Sequence, residues 1–503
     1  MGYDMANNDN PSQIQTADAS PVASSLIETF RSIGYSFETA LADIIDNAIT
    51  ANATEIRIHP VWAGGKSYVT IVDNGYGMSN QELIAALVPG SKKPLQERTE
   101  KDLGRFGLGL KTASFSQCRC LSVVSKKKGL DTVYWTWSLD HVAKTNRWEI
   151  IRWVPEEFVN ILDNYVSGTA VIWTQMDRLV FPDVSERNEK IKRKFMDTMG
   201  KAEFHLGMVF HKYLQEEIFK LWWGLDHQIL PWDPFCTYEN NRRPQSEECL
   251  KSGINTIGTA KGYILPSEQT FSSPQNHLIA GGKTGWSNMQ GFYVYRGKRL
   301  LVAATWLGLR RKELHSQLAR IEIIIPNNLD ELWQIDIKKS NATPPSEIRD
   351  QLSDYAREMC ALSELEFRQR RSGKKFGQMA SFEPLWIENI KSDKTWSFTI
   401  NRESAILAAI KEKAKDNPIS AINMLLRLIE TTLPTRSIYI RESDSSSKKT
   451  VSVTEDNDTL RSIIKTIYNN LLSTGLSKTG ARARLRNMEP INQYEQLIEE
   501  ICK

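Results

Sequence analysis

The run Gly104-Arg105-Phe106-Gly107-Leu108-Gly109-Leu110-Lys111 places three glycines within six positions at the entrance to a helix-compatible segment. Glycine lacks the Cβ that would hold a backbone away from a ligand. A glycine turn entering a helix points free N–H groups and the positive end of the helix dipole at one place, where an anion such as a phosphate fits. Such spacing also marks ordinary loops, so its order after two other motifs is what gives it weight.

Residues 55–73 predict two strands, Glu55-Ile56-Arg57-Ile58 and Tyr68-Val69-Thr70-Ile71-Val72-Asp73, joined through a hairpin turn at Gly64-Gly65. Asp73 therefore ends a strand and opens the loop Asn74-Gly75-Tyr76-Gly77-Met78. A carboxylate there can accept a hydrogen bond from an exocyclic amine such as adenine N6, and Gly75 and Gly77 let the base approach the backbone. Asp-Asn-Gly is equally the composition of a plain turn.

Further upstream, residues 38–51 predict a helix with Leu41, Ile44, Ile45, Ala48 and Ile49 as its apolar stripe and Asp43, Asp46, Asn47 and Thr50 opposite. Asp43 and Asn47 are four apart and share a face. Such a pair can serve nucleotide hydrolysis, Asp43 accepting a proton from water while the Asn47 amide oxygen coordinates Mg²⁺. The alternative for an isolated helix is a solvated polar face. A fourth element, Ser167-Gly168-Thr169-Ala170-Val171-Ile172-Trp173, predicts a strand whose Thr169 hydroxyl can reach a base edge directly or through water. Together these pieces describe an ATP site.

Asp43 and Asn47 within Asp46-Asn47-Ala48, then Asp73-x-Gly75-x-Gly77-Met78, then Gly104 to Lys111, then Gly168-Thr169, resemble the four ordered boxes of the GHKL ATPases. That superfamily includes gyrase B, the large heat-shock chaperones, histidine kinases and MutL. Ile45-Asp46-Asn47-Ala48 and Pro89-Gly90-Ser91-Lys92 look most like the MORC branch. The resemblance spans about residues 25–180. It implies an α+β protein with a Bergerat-type ATP-binding α/β sandwich, a ribosomal-protein-like α/β transducer domain and a mainly helical C-terminal region. It makes Asp43 the general base, Asn47 the Mg²⁺ ligand and Asp73 the adenine reader. Gly75, Gly77, Met78 and Thr169 complete the base pocket. Residues 88–108 become a lid over the triphosphate, with Ser91, Lys92, Gly104, Arg105, Phe106, Gly107, Leu108, Gly109 and Lys111 at lid and phosphate positions. Gyrase B, MutL and MORC proteins usually carry Glu where this chain has Asp43. A carboxylate one methylene shorter needs a shifted helix or a second water to reach the same reacting atom.

The chain has 503 residues, 41% hydrophobic and 25% charged, which fits a globular protein of more than one domain. No apolar run reaches 18 residues, and residues 1–20 lack the pattern of a signal peptide, so a cytoplasmic protein with no membrane partner is expected. Six cysteines show no C-x-x-C pair, and the seven histidines form no H-E-x-x-H, which argues against transition-metal catalysis. A net charge of +4 means that any nucleic-acid surface must come from local clusters. The candidates are Lys190, Lys192, Arg193 and Lys194; Arg368, Arg370, Arg371, Lys374 and Lys375; and Arg482, Arg484 and Arg486.

The domain organisation expected is a flexible arm at 1–20, the ATP-binding domain at 21–182, a transducer-like domain at 183–355 and a helical assembly or partner-binding region at 356–503. Within the second domain, helices are expected at 185–199 and then to 221, and strands at 291–302, 319–326 and 331–339. By the resemblance, a lysine of that domain reaches the γ-phosphate, with Lys339 the choice and Lys338 the runner-up. Helices are further expected at 346–369, 402–415, 418–431, 458–473 and 489–502, with an exposed loop at 441–456. The function this implies is an ATP-gated clamp that dimerises on binding ATP and acts on DNA, with an operon-encoded protein partner and a role in antiviral defence. A chaperone-like ATPase closing on protein and a nucleotide sensor with little turnover are the alternatives. A histidine kinase is disfavoured, because no His precedes Asp43.

Overall fold

The structure, a computed structural model, describes residues 21–32, 34–90, 109–326, 329, 332–336, 342–369, 385–390, 395–433, 438, 448–449, 457–488, 491 and 494–502. The chain divides into two compact units, 1–373 and 374–503. The mixture of helices with largely antiparallel sheets is the α+β class expected.

The first unit opens with helices α1 (Ala23–Ser32) and α2 (Phe37–Thr50), strands β1 (Glu55–Val61) and β2 (Tyr68–Asp73) and helix α3 (Asn80–Leu87). After α4 (Gly109–Phe115) come β3 (Cys120–Lys126), β4 (Val133–Ser138), α5 (Leu139–Thr145) and β5 (Gly168–Thr174). Helices α6 (Glu189–Val209) and α7 (His211–Gln215) precede β6 (Lys220–Trp223) and β7 (His227–Gln228). These seven strands form one sheet in the order β4-β3-β5-β2-β1-β6-β7, antiparallel except where β6 joins β1. Placing β5 beside β2 pairs Thr169 with Asp73, so residues 96 apart in the chain become neighbours at one end of the sheet.

Over β2, β3 and β5 both faces of this sheet are covered, which explains why these strands read as nearly continuous apolar runs, while β1 alternates. Val69 and Ile71, Leu121 and Val123, and Val171 and Trp173 face the main core under α2 and α4. Val72, Val124, Ala170 and Ile172 face a smaller cluster closed by Val154, Phe158 and Leu162. Trp173 is fully buried, stands edge-on to Phe37 at 6.0 Å and donates its indole N–H to Ser114 Oγ at 2.9 Å.

The same unit continues with β8 (Arg243–Ser252), β9 (Asn255–Ile264), α8 (Pro274–Ala280), β10 (Gly291–Arg296), β11 (Arg299–Thr305), β12 (Ala319–Ile325) and α9 (Ser346–Gln369). Its five strands form a second sheet, β11-β10-β12-β9-β8. One face joins the main core through Tyr263, Tyr293, Tyr295 and Leu300, and the other packs on α9 through Ile348, Leu352, Ala356 and Met359.

Four local expectations change. The helix expected to reach 221 ends at Gln215, and Lys220–Trp223 is a strand. The helix expected at 185–199 starts at Glu189 behind an Asn188 cap and runs on to Val209. Gly207 does not break it; a Cβ there would lie 2.7 Å from the Leu230 carbonyl, so glycine serves a close approach inside the helix. Within 331–339, Leu332–Gln334 form a turn rather than a strand: Gln334 has φ +43° and wholly buried Trp333 donates to Ile257 O at 3.3 Å. The helix expected at 489–502 covers only Glu495–Ile501, and a separate helix, Lys478–Arg486, precedes it.

The second unit is mainly helical and also holds a small sheet of β13 (Trp386–Ile390), β14 (Thr395–Ile400) and β15 (Lys448–Lys449). Helices α10 (Ala405–Asp416) and α11 (Pro418–Thr432) pack through Leu407, Ile410 and Ala421. A second helical cluster joins Ile464, Tyr468, Ala481, Leu485 and Ile498.

Truncating Trp173 to Ala removes the largest fully buried side chain shared by the sheet and α2. Urea unfolding of the full chain followed by tryptophan fluorescence and circular dichroism is expected to show a loss of about 3–5 kcal/mol. A loss under about 1 kcal/mol would contradict the packing described.

Candidate functional site

Helix α2 is nucleated by Ser36, whose side chain accepts the Thr39 N–H, and every residue from Ala40 to Asp46 is buried. Asp43 and Asp46 are therefore not on a solvated face, being 6% and 2% exposed. Only Asn47 of the polar positions is exposed. The expected amphipathic pattern fails because α2 is covered on both sides, by the first sheet and by α6 and the β10–β11 hairpin.

Asp43 Oδ2 accepts the Tyr35 hydroxyl at 3.0 Å. Tyr35 is buried and its hydroxyl also bonds Thr112 of α4; burial and the Asp43 charge push its pKa upward, so it stays a neutral donor. Asp43 Oδ2 also lies 3.5 Å from where a Cβ on Gly109 would stand, which places the carboxylate against the first residue of α4. Sequence reading missed Tyr35 and Thr112. Their signal was slight, since a Tyr before a helix cap and a Thr in an apolar helix are common core residues.

Asp73 sits at the end of β2, 8% exposed, and its Oδ1 accepts the Gly75 N–H at 2.8 Å. Burial raises its pKa to about 6, against the opposing effect of N–H donors from Gly75 and Thr169. The loop that follows is tied down by Asn74, whose Oδ1 accepts the N–H groups of Thr54 and Glu55 at 2.8 and 2.9 Å. Gly77 has φ +65°, and a Cβ there would lie 2.0 Å from Lys126 O; one on Gly168 would lie 2.2 Å from Asp73 O. Neither position admits another residue without moving backbone. Met78 N–H donates to Ser125 Oγ at 2.8 Å, and Ser125 Oγ lies 3.0 Å from Thr169 Oγ1. Asp73, Gly75, Gly77, Met78 and Thr169 are thus one cluster, to which Ser125 adds a hydroxyl that sequence reading did not single out.

Lys111 is 2% exposed, and its Nζ donates to Ala86 O at 2.9 Å and Val88 O at 3.0 Å. These carbonyls end α3, where a cation is favoured by the helix dipole. Lys111 therefore binds α4 to the point at which the chain enters residues 88–108. Ser91, Lys92, Gly104, Arg105, Phe106, Gly107 and Leu108 lie outside the described residues, as do Lys338 and Lys339. Asp336, three positions before Lys339, is near enough to add to the upward shift of Tyr35. Among the described residues no cluster of three or more His, Cys, Asp or Glu side chains could hold a metal ion.

A buried carboxylate at a strand end among closely packed glycines, a second buried carboxylate against the first turn of α4 and the sheet order that joins them fit a nucleotide-binding domain. Residues 35–169 match the family of histidine kinase-, DNA gyrase B- and HSP90-like ATPases, so this part of the chain is a GHKL-type ATPase domain. ATPase morc-1 of Caenorhabditis elegans is 31% identical over 94 residues, 19% of this chain and 11% of that protein. Chaperone protein HtpG of Rhodopseudomonas palustris is 36% identical over 104 residues, 19% of this chain and 16% of the relative. DNA mismatch repair protein MutL of Fervidobacterium nodosum is 37% identical over 49 residues, 10% of this chain and 8% of the relative. The matches thus cover a small part of each relative's length. The family match and the site geometry together support ATP binding.

The Asp73 pKa gives the sign of a stability test. Its folded value, about 6, exceeds the ordinary 3.8, so its contribution is fully present below about pH 4 and is lost as pH rises through 6. Wild type is expected to lose about 3 kcal/mol relative to Asp73→Asn between pH 3 and 7 in denaturant unfolding. A pH-independent difference would show that Asp73 is not buried as described.

Proposed function

We propose that this chain is a Mg²⁺-dependent ATPase that works as an ATP-gated dimeric clamp on DNA. The observation that carries the reading is the placement of Asp43. Its carboxylate is buried, held by Tyr35 and set against Gly109, on the helix whose next exposed polar group is Asn47. In this reading the adenine N6 amine donates to Asp73 and Thr169 reaches the base edge. Asp43 accepts a proton from the attacking water. Asn47 offers one hard oxygen, which fits Mg²⁺, an ion that commonly takes one or two protein ligands together with phosphate oxygens and water. Bound Mg²⁺ would supply charge neutralisation for the triphosphate.

The approach of Asp336 to Tyr35 supports a role for the segment ending in Lys339 in sensing the γ-phosphate, with Lys338 as its alternative. Ser91, Lys92, residues 104–109 and Lys111 belong to the proposed lid and phosphate positions. An apolar cleft of about 560 Å³ lined by Pro21, Leu26, Phe30, Leu87, Val88 and Trp148 lies where the arm and the lid leave the described chain. Burial of such a surface on closing favours the dimer reading. The exposed Lys190, Arg193 and Lys194 at the start of α6 support DNA contact, and the similarity to a DNA mismatch repair protein, MutL, agrees with it. Of the other candidate clusters, Arg486 is ion-paired to Glu495, and 370–375 lie outside the described residues. Similarity to HtpG favours a second reading, in which the clamp closes on a protein client. A cytoplasmic location, an operon-encoded partner and a part in antiviral defence belong to the same proposal. Among the described residues no helix is long and apolar enough to cross a membrane.

Steady-state hydrolysis with and without double-stranded DNA tests this. Asp43→Asn is expected to bind ATP within about twofold of wild type and to lose about 10²–10⁴ in kcat. Tyr35→Phe is expected to lose about tenfold, since it removes a hydroxyl that positions the carboxylate. Undiminished turnover in Asp43→Asn would remove the proposed base, and stimulation by a protein but not by DNA would select the second reading. ATP binding is further expected to weaken as pH falls below about 6, because Asp73 must be ionised to accept from N6; calorimetry in buffers of different ionisation enthalpy should register proton release on binding.

A further inference from the structure

Three polar side chains of α2 meet three different surroundings. Asp43 faces Tyr35, Asn47 faces solvent, and Asp46 turns towards the second sheet. Asp46 Oδ1 accepts the Arg299 Nε at 2.8 Å, with side-chain exposures of 2% and 3%. The partners are 253 residues apart in the chain. Arg299 is the first residue of β11 and pairs with Arg296 across the two-residue turn Gly297-Lys298. Its guanidinium stands 4.5 Å over the ring of Phe210, the residue that ends α6. The hairpin tip is fixed on its outer side by an ion pair between Lys298 and Glu216.

A fully buried ion pair contributes little stability compared with an apolar pair of the same volume, because desolvation offsets the attraction. Its geometry is demanding, since the planar guanidinium bonds a carboxylate only within its own plane. Such a pair stabilises little, and its in-plane geometry ties the position of one partner to that of the other. Asp46 immediately precedes Asn47 and follows Asp43 by less than one turn, so displacement of the β10–β11 hairpin reaches the helix at the level of both. Asp73 and Thr169, by contrast, sit on strands with no bond to Arg299.

We infer that Arg299, acting through Asp46, is a positioning residue that sets where α2 holds Asp43 and Asn47, so that the second sheet governs hydrolysis separately from base binding. The inference rests on the ATPase reading above. Full-length wild type, Arg299→Lys and the double variant Asp46→Leu with Arg299→Met are compared. The double variant removes both charges, so neither is left buried and unpaired, and thermal unfolding is expected to match wild type within a few degrees. ADP affinity without Mg²⁺, which reports the base pocket, is expected to stay within about twofold. The kcat for ATP is expected to fall about 10- to 100-fold in both variants. Hydrogen exchange of the α2 amides is expected to quicken while that of β5 does not. Wild-type kcat together with wild-type α2 exchange in the double variant would overturn the inference. If wild type turns over no ATP, the ATPase reading fails by itself, and unchanged α2 exchange in the variants still refutes the coupling.

Discussion

Burial of α2 is the constraint on which the rest of the first unit depends. A helix carrying Asp43, Asp46 and Asn47 would ordinarily lie on a surface, yet the first sheet covers one side and α6 with the β10–β11 hairpin covers the other. Burying carboxylates is costly unless each finds a donor. Tyr35 and Arg299 supply them, one from the residue preceding the Ser36 cap and one from the far sheet. The continuous core from Ala23 through Leu300 follows from this arrangement, because the two sheets share α2 and α6 as their common layer.

The cluster around Asp73 obeys a different constraint, the close approach of backbones. Gly77 packs on Lys126 O and Gly168 on Asp73 O at distances no Cβ tolerates. The strand order β3-β5-β2 then brings Ser125, Thr169 and Asp73 side by side. Burial leaves Asp73 with a pKa of about 6, so its protonation lies close to the neutral range.

Much of the site was legible from local pattern. Asp73-x-Gly75-x-Gly77, Gly168-Thr169 and the four-residue spacing of Asp43 and Asn47 need only a strand end, a turn and a helix, each encoded within a few residues. The hairpin of β1 and β2 and the helix at α11 were legible for the same reason. The small sheet at Trp386–Ile390 and Thr395–Ile400 was not anticipated, although aromatic and β-branched residues alternate there. Two short strands separated by a polar gap resemble loop when no partner is known. The helix break expected after 199 is the opposite case, because α6 runs on through Gly200 and Gly207, and glycine inside a helix looks like a helix end.

The sequence by itself determined the periodicities, the glycine positions and the order of the nucleotide motifs, because these depend on neighbours along the chain. Only the tertiary structure decided that Asp46 meets Arg299, that Tyr35 holds Asp43 and that Lys111 closes the end of α3. Arg299 and Lys111 reach their partners from other elements, 253 and 25 residues away, and Tyr35 reaches Asp43 from the turn before the same helix; no local pattern specifies which donor a buried carboxylate will find. The physical reason is that a buried charge fixes its partner by desolvation and geometry, and both exist only after the layers have packed.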